Sequence, residues 1–346
     1  MMYLLTYDFV KTIKTKMNNH HFLYPANSNE IKEYKSIDEI IEKLENSEKT
    51  PLTFTEAEKI KATELFKTVN YYSFSIYRKL LPKNNKEYSF TDCLSIYDFD
   101  CFLREKLIKF SGYIEIFVKT SFINHLCSSY NGKLEKADCY LDESIYTNKK
   151  LYYQVLIMLE NIIQKSKSKF IVHHKEKRNS KIPIWVIMEE LTFGESTFFI
   201  DSFKSSIRDG WLNYLIGDFI SNDALRDNFK SSITSWIGST RFIRNSCAHH
   251  SRIYGVLLNA QAPKFSNIDY RVLKREGIKK SNNFTLFARM LAIKNLLSLN
   301  RNEIKQEWNS FLLELDEKIK NNEMIFENNL GFINNWNYYL KIELTD

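Results

Sequence analysis

The clearest pattern is a helical one. Across residues 95–127, Leu94, Tyr97, Phe102, Leu107, Phe110, Ile114, Phe117, Val118, Phe122 and Leu126 recur at three- and four-residue steps, which predicts one long amphipathic helix. Gly112 inside it marks either a kink or a close helix contact. Thr55 with Glu58 three residues on, and Ser36 followed by Asp38 and Glu39, read as helix starts. Further helices are expected over 3–17, 151–163, from Pro183, from Asn222, over 284–299 and over 302–319. Trp185, Ile187, Met188 and Leu191 are expected in the core. Loops are expected at 25–29, 79–86 and 128–145, with a turn at Arg208-Asp209-Gly210. The scarcity of glycine (9) and proline (5) in 346 residues favours long helices over many short strands. The expected fold class is all-α, a multi-helix bundle. Its expected parts are an N-terminal helical extension (1–52), a helical body (53–256) and a C-terminal helical extension (257–346).

Residues 241–254, RFIRNSCAHHSRIY, read as the continuation of one such helix. On a wheel Ile233, Trp236, Ile237, Ile243, Cys247 and Tyr254 form an apolar stripe. Arg241, Asn245, His249 and Arg252 lie more than about 110° from Cys247, while Arg244 and His250 sit on the two shoulders. This face carries Arg, Asn and His and no acid, unlike an ordinary solvated face. Histidine transfers protons near neutral pH. Arginine clamps phosphate oxygens, and asparagine holds either in place. RNA brings its own nucleophile, the 2′-hydroxyl, so a base, an acid and a cation suffice to cleave it. An ideal helix puts Arg244 and His249 about 140° apart, so arginine's length, a local distortion or a second subunit must bring them together.

Arg244-Asn-Ser-Cys-Ala-His249 resembles the R-x4-6-H motif of the HEPN superfamily, and RNSCAHHSRIY resembles the RNxCAHHxRLW string of AbiD/AbiF-type abortive-infection proteins, with Tyr254 in place of Trp. Residues 70–77 (NYYSFSIY) resemble that family's NYYRLSGY. Tyr97-Asp98-Phe99-Asp100 with Leu103-Arg104 resembles YxFDRxLR, and Pro183-Ile184-Trp185 with residues 189–194 resembles PxWxxxExxxFG. The likeness covers roughly residues 53–256. It implies an all-helical HEPN-like fold, a homodimer built around the motif helix, and RNA cleavage without a metal or other cofactor. It also implies a role in phage defence or toxin–antitoxin control, with a structured noncoding RNA as regulator in some members. Carried onto this chain, it makes Arg244, Asn245 and His249 the catalytic candidates. Arg241, His250, Arg252, Tyr254 and Arg104 are candidates for substrate contact, and Arg104 has a structural salt bridge as its alternative reading.

Charge and composition change this picture only a little. A net charge of +7 fits a polyanionic partner without demanding one. The basic run 165–181 is either a solvated loop or a grip on phosphates. Tyr71, Tyr72, Phe74 and Tyr77 serve either the core or base stacking. Five cysteines form no C-x-x-C pair, and six of seven histidines are adjacent in pairs, a poor arrangement for metal chelation. No signal peptide and no long apolar run is present, so a cytoplasmic protein away from membranes is expected. Two alternatives to a ribonuclease stay open: a noncatalytic RNA-binding protein, and a protein-interaction module of a toxin–antitoxin pair.

Overall fold

The computed structural model describes residues 33–344 apart from 85, 180 and 218–222, and the backbone alone of 223–225. The helix expected over 3–17, the loop at 25–29 and the His20/His21 pair lie outside the described residues. The fold is all-α. Its helices are α1 Ile37–Glu45, α2 Glu56–Thr68, α3 Tyr71–Ser75, α4 Phe90–Ser129, α5 Lys149–Lys165, α6 Lys169–Lys177 and α7 Ile184–Glu190. There follow α8 Phe193–Asp201, α9 Ser205–Ile216, α10 Asp223–Ala248, α11 Asn267–Leu273, α12 Leu286–Leu297, α13 Asn302–Lys320 and α14 Trp336–Leu340. Among the described residues, no helix is long and apolar enough to cross a membrane.

Two compact units divide the chain, Met1–Phe74 and Ser75–Asp346. In the first, the expected starts hold. Ser36 with Glu39 and Thr55 with Glu58 each form a reciprocal capping box that satisfies otherwise orphaned N–H groups. Helices α1 and α2 bury Ile41, Leu44 and Ala62, and Lys59 bridges to Glu45 at 3.2 Å. Of the aromatic cluster, Phe74 is buried and meets Phe66 edge-on at 5.5 Å, while Tyr72 is exposed.

The second unit is organised by α4, whose 40 residues span about 60 Å. A capping box of Ser89 and Asp92 starts it. Leu107, Phe110, Ile114, Val118 and Phe122 bury along α4, and Ile233, Trp236 and Ile243 along α10, which packs beside it. Each such side chain contributes about 1.5–3 kcal/mol through burial. Helix α12 is buried at nearly every position and packs on both α4 and α10. Trp308 of α13 meets Phe110 edge-on at 5.0 Å, so residues beyond 257 share this core.

Four local expectations are corrected. Arg208-Asp209-Gly210 is not a turn but the middle of α9. A Cβ at Gly210 would stand 2.8 Å from His125 Nε2, so this glycine admits a close approach to α4. Gly112, by contrast, has no described atom of another element within 4 Å of where a Cβ would stand, so it marks no close helix contact. The basic run folds largely as α6, because Ile171 inserts into the core. Trp185 is 48% exposed, whereas Ile187, Met188 and Leu191 are buried as expected.

Candidate functional site

The helix carrying the motif stops at Ala248, six residues earlier than its periodicity predicts. The cause is a Schellman turn. Ser251 N–H donates to Ser246 C=O at 2.9 Å and His250 N–H to Cys247 C=O at 3.0 Å. His250 occupies the left-handed position at φ 54°, where glycine is the usual residue. Positions beyond His249 therefore do not follow the wheel. Arg252 is half-buried and Tyr254 fully buried through the path of the following loop, not as members of a helical face.

A non-glycine residue in this conformation costs about 1–2 kcal/mol. Glycine adds unfolded-chain entropy of about 0.4–1 kcal/mol. His250→Gly is thus expected to raise stability by up to about 1 kcal/mol, read by urea denaturation. A loss of stability would mean that the exposed imidazole makes a favourable contact.

Ile243 and Cys247 hold the end of α10 in the core, while Asn245, His249 and His250 are exposed. Burial pushes the Cys247 thiol up to about 12, so it stays protonated and takes no part as a nucleophile. His249 N–H makes the last helical bond, to Asn245 C=O at 2.9 Å, so its side chain still follows the wheel and stands well round the axis from Arg244. Arg244 is 37% exposed, and its Nε lies 3.6 Å from Glu115 Oε2. Its Nη1 donates to Asn245 Oδ1 at 3.3 Å. Glu115 is largely buried on α4 and also pairs with Lys119 at 2.9 Å, whose Nζ donates to the Leu191 carbonyl at 2.5 Å. At 3.6 Å this is an ion pair without a hydrogen bond, and the Glu115 carboxylate draws the half-exposed guanidinium toward α4.

Below the site sits a buried carboxylate. Asp100 of α4 is fully buried. Its Oδ1 accepts from the backbone N–H groups of Ile253 at 3.0 Å and Tyr254 at 2.7 Å. Its Oδ2 accepts from Tyr77 O–H at 2.5 Å and pairs with Arg104. Burial first, and then the Asp100 charge, push the Tyr77 phenol far above its ordinary range, so it acts as a donor here. Arg104 is 7% exposed and is held in this ion pair, so the structural alternative applies and its place among substrate contacts is withdrawn. Tyr254 is corrected likewise. Its hydroxyl accepts from Phe326 N–H at 2.8 Å and Asn329 Nδ2 at 3.1 Å, and its ring stands edge-on to Phe99. Gly255 follows at φ 63° with Leu80 against it, leaving no room for a Cβ. The loop leaving the motif is therefore pinned on both sides. Arg241 is half-buried and donates to Thr197 Oγ1.

Asp100 and Glu115 are the residues that motif reading did not place in the site. Each has a basic partner four residues on, within an otherwise apolar helix stripe, a signal legible in sequence. Glu190 at the end of α7 accepts from Ser166 Oγ at 2.6 Å.

No curated protein and no solved structure matches the chain. The model of one protein family, described as Abi-like protein, matches residues 64–255. That match takes in the Asp100–Arg104 pair, Glu115 and the whole turn that carries the two histidines, and it covers more than half of the sequence; the chain belongs to the Abi-like protein family.

Proposed function

We propose that this protein is an endoribonuclease of the HEPN kind that works without a metal ion. Membership of the Abi-like family supports a role in abortive infection. Within that role the proposed action is cleavage of RNA, as an antiphage effector or as the toxin of a toxin–antitoxin pair. One observation carries the reading: Asn245 and His249 are exposed, and Arg244 half-exposed in an ion pair with Glu115, at a helix end otherwise locked into the core.

His249 accepts the proton of the 2′-hydroxyl, whose oxygen then attacks the adjacent phosphorus. Arg244 neutralises the non-bridging oxygens as charge builds on them. Asn245 holds the guanidinium in place. The bond to the 5′-oxygen breaks, that oxygen takes a proton from solvent water and His249 returns its proton to solvent, leaving a 2′,3′-cyclic phosphate and a 5′-hydroxyl. Because Arg244 and His249 point to different sides of the helix end, the proposed unit is a homodimer. In it, the arginine of one copy serves the histidine of the other.

The test is cleavage of a single-stranded RNA panel in EDTA, with the product ends mapped. Cyclic-phosphate and 5′-hydroxyl ends are expected. Mixing Arg244→Ala with His249→Ala protein is expected to restore part of the activity each lacks, through heterodimers carrying one intact site. RNA binding without cleavage would favour a noncatalytic RNA-binding protein.

A further inference from the structure

A cleft of about 270 Å³ opens between α8, α9 and α10, next to the proposed site and outside it. Its floor is apolar, made by Ile200, Leu212 and Ile237, all buried. Its polar wall carries two arginines, Arg208 and Arg241, and two carboxylates, Asp201 and Asp209. With charges in balance, the wall gives a free anion no net attraction. It suits a neutral ligand that offers donors and acceptors side by side.

The hydrogen-bonding capacity of this wall is incompletely used. Among the described residues, the buried Arg208 Nε has no partner, a costly state for a donor, while the side chain as a whole is 36% exposed. Asp201 Oδ1 stands 3.8 Å from Arg208 Nη1, beyond hydrogen-bond length, so each keeps hydrogen-bonding capacity for a third group. Among the described residues, Asp209 is engaged only at 4.0 Å, by Lys230. Arg241 lies one turn before Arg244 on α10, about 4.5 Å along the axis. A strand whose phosphate meets Arg244 therefore brings a neighbouring nucleotide to the cleft mouth.

We propose that the cleft is a base-recognition site for guanine, an inference that rests on the RNA-cleavage reading for its substrate class. Guanine is the base that offers two adjacent donors, N1–H and N2–H, to a single carboxylate, here Asp201. Its O6 faces a guanidinium, here Arg208. The ring lies on the apolar floor. A phosphate in the same place would meet Asp201 and Asp209, and the site rejects it. Cleavage by this protein is accordingly specific for positions next to a guanosine.

The test uses the full-length protein and the four nucleoside 5′-monophosphates, GMP, AMP, CMP and UMP. With the phosphate constant, differences in affinity, measured by calorimetry or ligand-observed NMR, report the base. GMP is expected to bind about tenfold or more tightly than the other three. Asp201→Asn, at an exposed position, is expected to erase that preference with an unchanged melting temperature. Thr234→Trp, on the exposed rim of the cleft, is expected to block all four. Equal affinity for the four, no binding of any, or an undiminished preference in Asp201→Asn overturns the proposal. Binding is read without turnover, so the two readings fail separately. A protein that prefers GMP but cleaves nothing loses the nuclease reading alone. One that cleaves RNA yet binds all four alike loses the guanine site alone.

Discussion

Alanine at position 249 is expected to slow RNA cleavage by roughly 10²–10⁴-fold, the usual cost of removing a positioned proton-transfer group. The fold should be nearly indifferent. His249 is exposed and contributes to the helix end through its backbone N–H, which alanine keeps. Single-turnover cleavage and a thermal melt on the same preparation separate the two effects. A large rate loss with a melting temperature within a degree or two supports proton transfer. Undiminished cleavage removes His249 from the chemistry, and a parallel collapse of stability makes it a structural residue. Arg244→Ala is a less clean probe, because it also removes the cation facing Glu115.

The second large effect is on stability. Asp100→Ala is expected to cost about 3–5 kcal/mol, the range for removing one partner of a buried ion pair. Four groups lose their acceptor together: the Arg104 guanidinium, the Tyr77 hydroxyl and the backbone N–H groups of Ile253 and Tyr254. Asp100→Asn should fall between the two. Its carbonyl still accepts from the two backbone donors, while its amide turns a donor toward Arg104 and Tyr77. Urea denaturation of the three proteins gives the order aspartate, asparagine, alanine. A loss below about 1 kcal/mol for alanine would mean that these groups find water instead. Because Asp100 ties the loop after His250 to α4, the alanine protein should also lose activity under conditions where it remains folded.

Much of the architecture follows from patterns readable along the chain. The stripe from Ile233 to Cys247 buries as its spacing predicts, and so does the stripe from Leu94 to Leu126 apart from the half-buried Tyr97, Phe102 and Phe117, since a helix turns its fourth residue back to the same face. The serine and threonine starts at Ser36 and Thr55 hold because a capping box is a contact between near neighbours. The motif was legible as chemistry: its arginine, asparagine and histidines all lie at one helix end.

Other features depended on groups distant in sequence. Gly210 reads as a turn, yet it lies inside α9, and its missing side chain serves the close approach of His125. The stop at Ala248 could not be seen in composition, because histidine takes the position where glycine would have announced it. Arg104 belongs to the core because Asp100 gathers donors from as far as 154 residues along the chain. Periodicity and caps are encoded locally, and the sequence alone determined the helices and the residue types of the site. Burial of a charge is settled only when distant segments meet, so the tertiary structure decided which arginine reaches solvent and which is held in the core.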